Sequence, residues 1–336
     1  ALRNAADELR RNSPLARIAR LFGLSGFEEH ALVWCLAPEV EPWVSPLYAY
    51  TQDDARLRFP TAHLLLALSA EEGTLDDCRS SLGPRGTLLR YRLLERVDAE
   101  APGAPLAARP LLVAARIAGC LMGTDQPEER LSAVVREADG GWRPSWVEEA
   151  ATEVVRRAGA ATKINLTGPA NAAKESIAAA AAACRSRRLM VLDPARLPAG
   201  DAERFECYGL LEREARLSAL AYYLSPQEAG TPLARIAAEA AECLEAPLFV
   251  DSTERLGGPP GMAAVAVRSP SRAEQKRIWR QALEAVPHSV DGALESLVQQ
   301  FDLSAVGIRD AVAEASQGGA IRASALWQVC RRSEEH

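Results

Sequence analysis

The chain has 336 residues, 48% of them hydrophobic, and a formal net charge of −6. That length suits about two domains at roughly 150 residues each, with ample apolar material for their cores. The acidic balance gives no general electrostatic reason to expect a polyanionic partner, no apolar run reaches the ~18 residues of a membrane span, and ALRNAADELRRN carries charge where a signal peptide is apolar.

In chain order, Leu15, Ile18, Ala19 and Phe22 make one stripe of a first helix within residues 14–37. Ser25 caps a second, GFEEHALVWCLAPEV, with Glu28 at capping-box spacing, and Pro38, Pro42 and Pro46 are expected to break it. A third helix, PTAHLLLALSA, starts with Pro60 at the favoured first position and Thr61 beside it. After Gly83-Pro84, GTLLRYRLLERVDAE reads as a helix running into a strand, and APGAPLAARPL as a hairpin tip with a return strand. Three helices and a small hairpin form a winged-helix pattern.

The acidic segment Gly123 to Trp146 is the expected domain boundary. Beyond it strands and helices alternate: KINLT (163–167), then helix KESIAAAAAACRS; LMVLD (189–193), then helix ERFECYGLLEREAR (203–216); LSALAYYLS (217–225), then helix PLARIAAEAAECLE (232–245); APLFVDS (246–252) and MAAVAVR (262–268). These apolar runs are continuous rather than alternating, as in parallel strands covered on both faces, so a five-stranded parallel α/β sheet is expected. From Ser271 the pattern is helical only.

GPANAAKES, Gly168 to Ser176, joins the first strand to its helix. In a phosphate loop, G-x-x-x-x-G-K-[ST], glycines let backbone N–H groups wrap phosphates, Lys reaches the β/γ oxygens and the hydroxyl holds Mg²⁺. Gly168 and Lys174 fit that pattern with Pro169 between them, Ala173 replaces the second glycine and Glu175 the hydroxyl. Ser176 is one residue late, about 100° further round the helix. Nucleotide binding is expected to be weakened, and Mg²⁺-assisted chemistry more so. Hydrolysis also needs an acidic pair at a strand end, but ALAYYLSPQE offers Ser225 and Pro226 there, with Gln227 and Glu228 in an expected turn. Asp251 and Glu254 in LFVDSTE are the alternative acids, as magnesium ligand and base.

On these residues, 163–333 resembles an AAA+ ATPase domain, an αβα sandwich followed by a helical lid. The resemblance makes Gly168 to Glu175 a degenerate Walker A, Ser225-Pro226 a vacated Walker B, Asp251 to Thr253 a sensor position closing the fourth strand, Arg309 a lid sensor arginine and Arg255 an intersubunit arginine. LFGLSGFEEHALVWCLAPEV and LYAYTQDDARLRFPTAHLLLAL resemble the N-terminal winged-helix variant of AAA+ proteins encoded with phage-tail-like contractile injection systems; REARLSALAYYLS and KRIWRQAL resemble the first, often degenerate, ATPase module of the same proteins. The implied fold is a winged-helix-like domain (1–125), a linker and helix (126–160), a degenerate AAA+ core (161–269) and a lid (270–336). Such proteins continue into a second AAA+ domain with intact motifs. The chain's start without Met and its end on RRSEEH agree with an N-terminal piece of one. The implied role is an ATP-driven remodelling or assembly factor that self-assembles and works on protein partners in the cytoplasm, with ATP or ADP as ligand.

Two other readings stand beside it: an active ATPase using Asp251 and Glu254, and a DNA-binding regulator. A recognition helix needs phosphate-positioning cations. PTAHLLLALSA has no Lys or Arg; Arg56, Arg58, Arg85, Arg90, Arg92 and Arg96 are close in sequence and leave DNA contact open, and protein contact is the expected use of the winged helix. Seven scattered cysteines without a C-x-x-C pair, and four scattered histidines, suggest neither a disulfide framework nor a metal site.

Overall fold

The computed structural model describes residues 13–69, 74–97, 105–139, 142–169, 172–224, 232–256, 259–284, 286–290, 292–317 and 319–334. In chain order the elements are α1 (Pro14–Phe22), α2 (Gly26–Val40), α3 (Val44–Thr51), α4 (Ala62–Leu68), α5 (Leu75–Ser81), α6 (Thr87–Arg90), β1 (Leu94–Arg96), β2 (Leu111–Val113), α7 (Ala115–Met122), β3 (Val135–Glu137), α8 (Ser145–Ala158), β4 (Lys163–Thr167) and α9 (Lys174–Cys184). There follow β5 (Arg188–Leu192), α10 (Asp201–Leu217), β6 (Leu220–Leu224), α11 (Pro232–Cys243), β7 (Leu248–Ser252), β8 (Ala263–Ala266), α12 (Arg272–Leu283), β9 (His288–Ser289), α13 (Leu294–Gln300), α14 (Ala305–Ser316), β10 (Ile321–Arg322) and α15 (Ala323–Glu334). Contacts divide the chain into two units, residues 1–132 with 198–218, and residues 133–197 with 219–336.

The first unit is helical with one hairpin. Ser13 accepts a hydrogen bond from Ala16 N at the start of α1, and Gly23 closes that helix at φ +64°, a left-handed turn that glycine takes without cost. Ser25 and Glu28 make the expected reciprocal capping box on α2, a feature contributing about 1 kcal/mol. The helix spans the expected stretch and ends before Pro42, but Pro38 does not break it. Pro38 lies inside its last turn, and Pro46 inside the first turn of α3, where a missing N–H is harmless. Pro38 cannot donate to Trp34 O, so the Tyr48 hydroxyl does so instead at 2.8 Å. Thr61 caps α4, accepting from Leu64 N, so Pro60 precedes the helix instead of taking its first position. More helices precede the hairpin than the three expected; β1 and β2 then pair antiparallel with Glu95 opposite Leu112. Ile18, Phe27, Leu32, Leu65, Leu88 and Ile117 meet in the core.

Helix α10 belongs to this unit by its contacts although the chain reaches it from β5. Leu217 joins the core of that unit, and buried ions add to the attachment. Arg213 is fully buried, pairs with Glu128 and donates to Arg92 O at 2.7 Å. Arg116 Nε donates to Glu214 Oε1 at 3.0 Å, and Arg17 reaches Leu217 O at 2.8 Å.

The second unit is an αβα sandwich with strand order β3-β5-β6-β7-β4-β8. Five strands are parallel, as the continuous apolar runs implied. The five-stranded expectation needs one correction. A sixth strand, β3, pairs antiparallel with β5, Arg136 opposite Val191, and comes from the stretch read as linker. Its VRE sequence is too short and too polar to announce a strand; pairing with an open edge forms it. Alternate strand residues, Ile164, Leu166, Leu189, Val191, Ala221, Tyr223 and Phe249, share one core with α8 and α9, the period-two geometry of a pleated strand. The C-terminal helices join the same core through Trp279, Leu283 and Ile308. They are not helices only, because β9 and β10 form a short parallel pair. Ser271 and Glu274 box the start of α12.

Candidate functional site

The site lies at the carboxyl end of β4, the strand between β7 and β8. Gly168 leaves that strand at φ +143°, and a Cβ there would stand 2.0 Å from Val267 O, so only glycine fits. Its N–H donates to Ser252 O at 3.1 Å, tying the loop to β7. Pro169 is exposed, and the next two residues, Ala170 and Asn171, lie outside the described residues. Ala173 takes up a left-handed conformation, φ 48° and ψ 40°, in spite of its Cβ. The sequence implies resistance to that geometry; here the loop imposes it, at a cost of about 1 kcal/mol.

Lys174 begins α9 and is only 3% exposed. Its ammonium donates to Gly168 O at 2.8 Å and Ser252 O at 2.9 Å, and forms an ion pair with Asp251. An ammonium has three protons to donate, and three acceptors surround this one. Asp251, at 8% exposure, also accepts from the Tyr223 hydroxyl. Burial, and then the Asp251 charge, push the Tyr223 phenol far above its ordinary range, so it remains a proton donor. Tyr223 and Asp251 reach Lys174 because they lie on the α9-facing side of neighbouring strands β6 and β7.

Asn165 is the buried polar residue of β4, 1% exposed. Its Nδ2 donates to Val250 O at 3.0 Å and Ser252 Oγ at 2.8 Å, while its Oδ1 accepts from Leu256 N at 3.1 Å. Ser252 Oγ in turn donates to Glu254 O at 2.6 Å. Asn165 thus clamps the β7 exit that supplies Asp251. Glu175, at the position of the missing hydroxyl, is held by Arg136 of β3 through two bonds of 2.9 and 2.7 Å.

Gly168, Lys174 and Asp251 therefore come together. Thr253, Glu254 and Arg255 are exposed beyond the β7 end, so Glu254 does not share the buried cluster with Asp251. Arg309, in the second turn of α14, pairs with Asp139 and with Asp310 Oδ1 at 2.8 Å. Ser225, Pro226, Gln227 and Glu228 lie outside the described residues. Tyr223, Asn165 and Arg136 were missed. Asn165 inside the apolar run KINLT was the available signal, since a polar side chain in a central strand needs partners. Tyr223 offered no signal distinct from its apolar neighbours. Among the described residues no group of three His, Cys, Asp or Glu has the placement of a metal site, and no helix is long and apolar enough to cross a membrane.

Two protein families match the chain. Residues 2–135 match the winged helix domain, variant, and residues 271–336 the contractile injection system ATPase helical domain. Among solved structures, the AAA domain of FIGL-1 in complex with ADP is 15% identical at a TM-score of 0.42, covering 60% of this chain and 87% of its own. A second structure of the FIGL-1 AAA domain gives the same score and identity, covering 62% of this chain and 91% of its own. No curated protein matches. With a winged-helix module before the αβα sandwich in sequence and an injection-system helical domain after it, the chain resembles the AAA+ ATPases of contractile injection systems.

Proposed function

We propose that this chain is a regulatory or scaffolding portion of an AAA+ ATPase, whose phosphate loop binds ATP or ADP weakly and does not hydrolyse it. The observation carrying this reading is the saturation of Lys174 by Gly168 O, Ser252 O and Asp251. A free P-loop lysine offers a positive charge to phosphate; here an internal carboxylate already neutralises it. A nucleotide must displace Asp251 and leave that carboxylate buried, which costs several kcal/mol by desolvation. Glu175 supplies no hydroxyl for Mg²⁺ and is turned to Arg136. The exposed Glu254 is poorly placed to act with Asp251 as a buried acid pair. The wider role that follows is assembly: the module joins subunits of a cytoplasmic, ATP-driven remodelling factor and contacts protein partners, while a second AAA+ domain with intact motifs hydrolyses ATP.

Calorimetric titration with ATP, with and without Mg²⁺, run beside a phosphate-release assay, tests this. Wild-type chain should bind weakly and release no phosphate. Asp251→Asn, which removes the internal competitor, should bind ATP on the order of tenfold more tightly, about 1.4 kcal/mol, still without turnover. Mg²⁺-dependent turnover lost in Lys174→Ala would overturn the proposal.

A further inference from the structure

A second concentration of charge lies in the helical unit, apart from the phosphate loop. A cavity of about 430 Å³ beside the hairpin is lined, among the described residues, by Arg92, Arg96, Arg109 and Arg130, with Glu95 and Glu206 as carboxylates. The described lining residues thus carry an excess of two positive charges, four arginines against two glutamates. Arg92 pairs with Glu206, and Arg130 with Glu95 at 2.9 Å and with Glu128 at 2.7 Å. Glu128 is itself shared with Arg213. Arg96 donates to Leu82 O at 3.1 Å, a neutral acceptor that does not balance its charge. Arg109 Nε is buried without a hydrogen-bond partner among the described residues. Burial, followed by the charges of Arg109 and Arg92, lowers the Arg96 pKa, the mark of cations held together.

Such crowding is stable when an anion sits among the guanidinium groups, whose planar forks match oxyanions bidentately. The cavity lies within the range of small-ligand sites. We infer that this arginine cavity is a binding site for a small phosphate-bearing ligand carrying two adjacent phosphoryl groups, with Arg96 and Arg109 as its main anchors. The carboxylates of Glu95 and Glu206 in the lining disfavour a long polyanion, and α4, AHLLLAL, contributes no cation for one to follow. The compact ligand is therefore favoured over a nucleic-acid backbone. This site is independent of Lys174.

Thermal unfolding of the whole chain with increasing sodium pyrophosphate, against sodium chloride at matched ionic strength, tests the inference. The expected result is a saturable rise in Tm, unchanged in Lys174→Met. It should be at least tenfold weaker in Arg109→Gln, whose ligand-free Tm equals or exceeds that of wild type because a like charge has been removed. Arg96→Gln should weaken the response similarly. An absent or unsaturable response would overturn the inference, as would loss of the response in Lys174→Met rather than in the arginine variants. So would a lower ligand-free Tm in Arg109→Gln with an unchanged pyrophosphate response, which would make Arg109 structural. Duplex DNA binding through the same arginines more tightly than pyrophosphate would overturn the choice of a small ligand.

Discussion

Lys174 in the αβα unit and Arg213 in the helical unit are both cations withdrawn from water, but they are balanced differently. Lys174 is met by two main-chain carbonyls and one carboxylate, all at the ends of β4 and β7 where a phosphate loop receives its ligand. Arg213 is met by Glu128 and Arg92 O, while its neighbour Glu214 holds Arg116, so one stretch of α10 is tied to three separate segments of the winged-helix unit. Both arrangements obey the same rule: a buried charge is tolerated when an opposite charge is paired with it and main-chain acceptors supplement the pair. They differ in what the pairing does. At Lys174 the pairing neutralises the cation at the turn from β4 into α9; at Arg213 it ties a helix to other segments of its unit.

The comparison can be broken first at Arg213. Arg213→Ala should cost about 3–5 kcal/mol, because carboxylates set to receive it remain buried; urea unfolding measures it. Lys174→Met should cost roughly 3 kcal/mol for the same reason, and adding Asp251→Asn should recover more than half of that. A double mutant no more stable than the single would show that Lys174 and Asp251 are not coupled. Gly168→Ala should destabilise by about 2 kcal/mol or more, since both its φ and the Val267 carbonyl forbid a Cβ. Ala173→Gly should act the other way, stabilising by up to about 1 kcal/mol through relief of the left-handed alanine.

The smallest effect is a pH dependence in the helical unit. Burial raises the Glu128 pKa, but hydrogen bonding from Arg130 and the charges of Arg213 and Arg130 outweigh it and hold the carboxyl at about 2, against an ordinary 4.5. A depressed folded-state value means that this carboxylate contributes stability above pH 4.5, lost as the pH falls toward about 2. Acid unfolding followed by circular dichroism should show that component in wild type and lack it in Glu128→Gln.

Much was legible in the sequence by itself. Ser25 with Glu28 and Ser271 with Glu274 announced helix starts, because capping is an interaction between residues three apart. The unbroken apolar runs announced parallel strands covered on both faces, and Gly168 and Lys174 marked the turn from β4 into α9, because a strand-turn-helix is also local. Tertiary structure decided the rest. Asp251 faces Lys174 only because β7 lies beside β4, and Tyr223 joins them only because β6 lies beside β7. Pairing with the β5 edge turned VRE into a strand and brought Arg136 to Glu175. Packing of Leu217 and buried ion pairs attached α10 to the helical unit. Local propensity reaches a few residues along the chain, whereas balancing a buried charge requires whatever partner the fold places within about 3 Å, however distant in sequence.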